Sequence, residues 1–320
     1  MKILDNTLSQ LTIPTPFPVG DVHVYLLKGD KLSLIDAGVK TKEGWEALKT
    51  QLHQLGYAPE DIEQIILTHH HPDHIGLIEQ FPRAETLAAH RNTGVYLSRD
   101  EAYFAKHEAF FKQLFVACGV PEELTVHSGE LSGTMQFAGK GELTMTLDEG
   151  DTLPGHHDWH VIETKGHAQS HLSFFRESDG AFIGGDHLLH HISPNPMLEA
   201  PIASDVRPQP LLQYRSNLLK CQSLGIQTVY PGHGDIFSDV STIIPVHLQN
   251  QEQRAARVYH LLQEKAQTPF ALSQQLFPNK YTKQLSLTMS ETIGQLDYLE
   301  DRGLVTRVLT DGIYHYHLVP

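Results

Sequence analysis

Apolar residues recur at two spacings along this chain. Val22 to Leu27 and Leu32 to Ile35 are short β-type runs on either side of Lys28-Gly29-Asp30-Lys31, which predicts a hairpin. Trp45, Leu48, Leu52 and Leu55 return at the three-to-four spacing of an amphipathic helix, predicted over 42–56. A strand follows over 63–68, then a helix that opens near His74 and runs through Leu77 and Ile78 to Phe81. Leu87 to Ala89 reads as another short strand. Further on, Trp159 to Ile162, Ala181 to Ile183 and Thr228 to Tyr230 are strands, and Leu211 to Leu224 is a helix.

Two stretches break this alternation. Over 92–140, Tyr96, Tyr103, Phe104, Phe110, Phe111, Leu114 and Phe115 make an aromatic-rich helical insert. It reads either as a helix packed on a sheet or, the favoured reading, as a cap that lines a small-ligand pocket. From about 245 the pattern is a long polar helix, Glu252 to Lys265, and a short one, Ala271 to Phe277. A third helix, capped by Ser290 and closed by Gly303, carries Ile293, Leu296 and Leu299. Leu304 to Leu309 and Ile313 to His317 then flank Asp311-Gly312, a two-residue hairpin turn. Three helices and a hairpin look like a winged-helix domain. The predicted organisation is a catalytic domain over 1–244 and a winged-helix-like domain over 245–320.

At 320 residues the chain can bury a large core. No apolar run approaches membrane-spanning length, and Met1-Lys2-Ile3-Leu4-Asp5 lacks the apolar core of a secretory signal. Cys118 and Cys221 are too far apart in sequence for a C-x-x-C metal spacing and read as thiols in a reducing compartment, so a cytoplasmic protein is expected. A formal charge of −14, without a Lys/Arg stripe, disfavours nucleic acid as partner. Residues 241–320 carry seven Lys/Arg against seven Asp/Glu, and the would-be recognition helix 290–302 holds four acids. The tail therefore reads as a structural or dimerisation module, compatible with a homo-oligomer.

The chemistry is concentrated at strand ends. Ile65-Ile66-Leu67 leads into Thr68-His69-His70-His71-Pro72-Asp73-His74, an H-x-H-x-D-H run that no single helical face can present. A tight loop can make its side chains converge, and imidazole and carboxylate suit zinc, iron or manganese. A solvated His-rich loop is the bland alternative in a chain with 22 histidines. Three more β-type runs end in glycine turns bearing one His or Asp: Gly166-His167, Gly184-Gly185-Asp186 and Gly232-His233. Together they argue for a metal site built on loops at one sheet edge.

Asp36, in Leu34-Ile35-Asp36-Ala37-Gly38, followed in order by the 69–74 motif, His167, Asp186 and His233, resembles the five motifs of the metallo-β-lactamase superfamily over roughly residues 10–240. The resemblance implies an α+β fold, an αβ/βα four-layer sandwich of two sheets with helices outside, holding two divalent metal ions. It assigns His69, His71 and His167 to one ion, Asp73, His74 and His233 to the other, and Asp186 to both. Zinc is the first expectation, with iron and manganese open. Two ions that share a carboxylate and a water lower the pKa of that water towards neutrality, so a metal-bridging hydroxide is the expected nucleophile and Asp73 its orienting group. Asp36 is read as ordering a histidine or the loop, with a plain turn residue weighed equally. His70 should point away, and His171 has a supporting or core role. His187, His190 and His191 are open between substrate contact and a surface cluster, Tyr214 reads as a packed helix residue, and His156, His157 and His160 read as solvated.

A superfamily branch with a C-terminal winged-helix-like domain includes endoribonucleases and acyl-CoA thioesterases. Glyoxalase II enzymes hold glutathione with a basic helical domain that this tail replaces. Quorum-sensing lactonases place a tyrosine where Leu188, Leu189 and His190 stand here. The expected function is a dinuclear metal-dependent hydrolase of a small-molecule thioester, lactone or ester. A phosphodiesterase or endoribonuclease is the alternative, and a DNA-binding regulator ranks third.

Overall fold

A computed structural model describes residues 1–126, 129 and 131–320. His127, Ser128 and Glu130, inside the expected aromatic insert, lie outside the described residues. The chain divides into two compact units, 1–100 with 132–194 and 220–240, and 101–131 with 195–219 and 241–320.

The first unit is built on two sheets. One runs β1 (Lys2–Ile3), β2 (Leu8–Ile13), β3 (Val22–Lys28), β4 (Leu32–Ile35), β5 (Gln64–Ile66), β6 (Thr86–Ala89) and β7 (Met145–Thr146), in that spatial order. The other contains β8 (Thr152–Leu153), β9 (His156–Glu163), β10 (Leu172–Arg176), β11 (Ala181–Gly185) and β12 (Thr228–Pro231), in the order β12-β11-β10-β9-β8. Apolar side chains from both sheets share one core: Tyr25, Leu27, Ile35 and Ile66 from the first, Trp159, Val161, Phe174 and Ile183 from the second. Burying such side chains contributes about 1.5–3 kcal/mol each. Helix α1 (Lys42–Gln54), capped where the Thr41 hydroxyl accepts from Gly44 N–H, lies against β2, where Gln51 bonds both backbone groups of Thr12. This is the mixed α/β sandwich that the resemblance implies.

The helix expected to run from His74 to Phe81 is shorter. Helix α2 covers Pro72–Ile75. Gly76 N–H bonds Gly38 O, and a Cβ on Gly76 would meet Lys40 N at 2.2 Å. The neighbouring backbone occupies the space that a continuing helix needs. Short helices α3 (Gly94–Leu97), in this unit, and α5 (Glu122–Thr125), in the other, flank the long α4 (Glu101–Ala117) in sequence, and α6 (Ser132–Met135) follows.

The second unit gathers α4, the loop that leads into α7 (Pro210–Ser223), α8 (Val240–Glu264), α9 (Pro269–Leu276), α10 (Leu285–Asp301), and a hairpin of β13 (Val305–Thr310) and β14 (Ile313–Leu318). The last segment of this unit begins at 241, and 101–131 and 195–219 join it. The reason is apolar: Phe111, Phe115 and Cys118 of the aromatic stretch are buried against Phe270, Met289 and Ile293. Those rings complete this unit's own core. Helix α8 starts earlier than the polar run suggests, and Pro245 lies within it. Helix α10 also starts earlier, so Ser290 is internal, and its hydroxyl accepts from Leu198 N–H instead of capping. Asp311 and Gly312 both have positive φ, 50° and 81°, as a type I′ hairpin turn requires. Among the described residues no helix is long and apolar enough to cross a membrane.

Candidate metal centre

Strand direction brings the motifs together. β4 and β5 run parallel, so Asp36 and the 69–74 loop leave at the same end. β11 is parallel to β12 and both β9 and β11 are antiparallel to β10, so His167, Asp186 and His233 also leave their sheet at one end. Two groups of donors result. The ligand atoms of His69, His71, His167 and Asp186 lie within 4.8 Å of one another, and so do those of Asp73, His74 and His233. Asp186 reaches across: its Oδ1 is 3.5 Å from His74 Nε2, and its Oδ2 is 3.5 Å from both His167 Nε2 and His233 Nε2. Every residue that the sequence proposes as a ligand is in these groups; His71 and His167 are half-buried and the other five are buried.

Hydrogen bonds set which nitrogen faces inward. Asp36 closes β4 in the left-handed region, φ 65°, a conformation costly for a residue with a Cβ. Its Oδ1 accepts from Thr68 N–H, and its Oδ2 accepts from the Thr68 hydroxyl and from His74 Nδ1–H, both at 2.8 Å. With its proton given to Asp36, Thr68 Oγ1 accepts from His69 Nδ1 at 3.0 Å. One carboxylate thus turns the Nε2 atoms of His69 and His74 inward. His233 donates Nδ1–H to Asp21 O at 2.7 Å, which turns its Nε2 inward too.

Strand β3 holds the His233 loop. Tyr25 donates its hydroxyl to Pro231 O, His23 N–H bonds Gly232 O, and His23 Nε2–H donates to Gly234 O, each at 2.7 Å. Gly232 itself has no room for a side chain, since a Cβ would meet Asp186 Oδ1 at 2.2 Å. Sequence reasoning missed Thr68, Asp21, His23 and Tyr25. A signal for the last two existed, because a His and a Tyr two apart on one strand share a face. His70 points away, as expected, stacked on Tyr96 at 3.6 Å and bonded to Ser170 Oγ. His156 is not solvated: it is buried and bonds Ser33 Oγ at 2.6 Å, whereas His157 is exposed. Tyr214 and His187 are fully buried. His190 and His191 meet at 3.1 Å through their Nδ1 atoms, and His190 lies 3.4 Å from Asp239.

The donor set fits divalent ions. His71 Nδ1 has two imidazole neighbours at 3.0 Å, His69 Nε2 and His167 Nε2, and one proton cannot satisfy both. His74 Nε2 and Asp186 Oδ1 are buried without a hydrogen-bond partner among the described residues. Burial, then the neighbouring imidazoles, holds His69 well below its ordinary pKa; burial and His167 bring His71 down to about 3. These rings are neutral and ready to ligate. Burial opposes charge on His74 and His233, but the carboxylates of Asp186 and Asp36, and of Asp186 and Asp73, outweigh it and raise both. Burial would raise Asp73 and Asp186, but the surrounding histidines keep both carboxylates ionised.

Comparison with known proteins agrees. A family model described as the Metallo-beta-lactamase superfamily matches residues 17–233. The probable metallo-hydrolase YqjP of Bacillus subtilis (strain 168) is 42% identical over 296 residues, 92% of this chain and 93% of that protein. An atrochrysone carboxyl ACP thioesterase of Aspergillus fumigatus is 26% identical over 147 residues, 46% of this chain and 32% of its own length. The crystal structure of a metallo-beta-lactamase family protein from Thermus thermophilus superposes with a TM-score of 0.83 at 29% identity, covering 99% of this chain and 100% of that one. With the two-sheet fold and the His/Asp cluster at the strand ends, these similarities make the chain a member of the metallo-β-lactamase superfamily and a metal-dependent hydrolase.

Proposed function

We propose that this hydrolase is dinuclear and cleaves a carboxylic thioester, lactone or ester of small-molecule size. The observation that carries the reading is the reach of the Asp186 carboxylate into both donor groups, at 3.5 Å from His74, His167 and His233. His69, His71 and His167 would hold one divalent ion, Asp73, His74 and His233 the other, and Asp186 both. Ions so placed lower the pKa of water and polarise a carbonyl.

The chain's own residues do the rest. Asp36 and Thr68 keep His69 and His74 in the tautomers that present Nε2. Asp73, ionised and 3.3 Å from His233 Nε2, has an acceptor oxygen with which to orient an attacking water. The thioesterase named among the relatives supports an acyl substrate. The N/O donor set suits zinc as the native metal, with iron and manganese compatible. The two free, buried cysteines accord with a cytoplasmic location. Residues 245–320, three helices and a hairpin, are proposed as a winged-helix-like module.

The test is hydrolysis of one panel before and after chelation: an acyl-CoA, an acyl-homoserine lactone, an aryl ester and bis(p-nitrophenyl) phosphate. Metal-dependent turnover of the carbonyl substrates is expected. Dominant cleavage of the phosphodiester would overturn the acyl assignment.

A further inference from the structure

A buried chain of four hydrogen bonds begins and ends on the turn that carries Asp186. The Asp186 backbone N–H donates to His171 Nε2 at 3.0 Å. A ring nitrogen that accepts has no hydrogen of its own, so the imidazole hydrogen sits on Nδ1. Nδ1–H therefore donates to Thr164 Oγ1 at 2.8 Å. Thr164 Oγ1 then passes its hydrogen to Ser173 Oγ at 2.8 Å, and Ser173 donates to Gly184 O at 3.2 Å. Each direction follows from the one before it.

The ring is also pressed into place. His171 is fully buried and stacks on His69 with centroids 4.9 Å apart. Gly185, between the two ends of the chain, has φ 50°, and a Cβ there would meet His171 Nε2 at 2.8 Å and Thr68 Cβ at 3.0 Å. The turn has been drawn against the imidazole as closely as glycine permits.

We infer that His171 is a positioning residue for Asp186: its Nε2 lone pair anchors the Asp186 amide and so aims the carboxylate at both donor groups. Resting on the dinuclear reading, the inference gives each ring atom a separate duty. The anchor is Nε2; Nδ1 only fixes the tautomer, through Thr164. A ring that merely filled the core would have no such asymmetry.

Two substitutions separate these duties. In His171→Gln the amide oxygen falls near the place of Nε2 and can still accept from Asp186 N–H. In His171→Asn the shorter amide falls near Nδ1, so it serves Thr164 and leaves Asp186 N–H without its acceptor. The full-length protein is loaded with zinc and, separately, with cobalt(II), dialysed, and its metal content and visible cobalt absorption are measured; melting of the metal-free form monitors the fold.

The expected result is that wild type and His171→Gln hold two ions per chain with similar cobalt spectra. His171→Asn should bind the weaker ion about 10- to 100-fold less tightly, the usual cost of losing support behind a ligand, with metal-free melting close to that of His171→Gln. Thr164→Val, which leaves the ring in place, should weaken the same ion by a smaller factor and provides the reading if a His171 variant does not fold. Two ions in wild type with equal metal binding in all three variants would overturn the positioning role alone. Fewer than two ions in wild type would overturn the dinuclear reading and this inference with it.

Discussion

A set of polar side chains in one compact unit and a set in the other are arranged in opposite ways. In the second, donors meet acceptors. Arg207 grips Asp297 with both terminal nitrogens, at 2.8 and 2.5 Å, Arg215 bonds Gln251 and Glu252, and the Ser290 hydroxyl accepts from Leu198 N–H. These pairs tie α7 and the loop before it to α8 and α10. In the first unit one set of buried polar groups is gathered at one end of the strands, and its inner atoms are mostly acceptors: imidazole nitrogens at 3.0 Å and carboxylate oxygens beside them. Their outer atoms are well satisfied, by Asp36, Thr68 and Asp21. Complementary pairing stabilises a fold, while converging acceptors call for a cation. A site can thus be told from a core by whether its polar atoms complete one another.

That distinction can be broken by mutation. The largest effect is expected for Asp186→Asn, which removes charge from both donor groups: turnover should fall on the order of 10³-fold or more, with paired metal lost by elemental analysis. A fully active variant would end the dinuclear reading. Arg207→Ala should do the reverse. It leaves the Asp297 carboxylate buried alone, at a cost of about 3–5 kcal/mol in urea unfolding, while metal content stays as in wild type. Replacing both partners, Arg207→Met with Asp297→Leu, should recover most of the loss, because a buried pair is worth little against apolar packing.

Asp36→Asn tests the support behind the ligands. Metal affinity, read by chelator competition, should drop about 10- to 100-fold, since an amide oxygen accepts less strongly and its NH₂ opposes His74 Nδ1–H. The smallest effect lies at a self-completing cluster within the first unit. Asp5 accepts from Thr7, Leu8 and Arg176. Partial burial works against its ionised form, but these bonds, that from Arg176 foremost, bring its pKa from 3.8 down to about 2. A depressed carboxyl stabilises the fold fully above its unfolded value and loses that contribution as pH falls from near 4 through about 2. Asp5→Asn should flatten the unfolding free energy across that window and leave metal content alone. A change in metal content would show that the two kinds of polar cluster are not independent.

Much of this protein is legible in its residue order, for reasons that particular elements make plain. Strands that end in glycine turns bearing His or Asp announce a site because the residue types themselves are costly to bury without a use. The Asp311-Gly312 turn is legible because both residues tolerate positive φ. The extent of α2 is not, since Gly76 stops it through contact with a segment some forty residues away in sequence. Nor is the role of the aromatic stretch, whose Phe111 and Phe115 find their partners on α9 and α10. A period of apolar residues specifies a face and says nothing of what that face meets.

The order of residues by itself determined which side chains could ligate, at which strand ends they stand, and the superfamily to which they belong, because those depend on local periodicity and donor chemistry. Tertiary structure alone decided which nitrogen each histidine turns inward, that Asp186 reaches both donor groups, that His156 is buried, and that Thr68, Asp21, His23 and Tyr25 support the centre. Each of these is a hydrogen bond or a close approach between atoms distant in sequence, and such geometry exists only once the two sheets have brought their strand ends together.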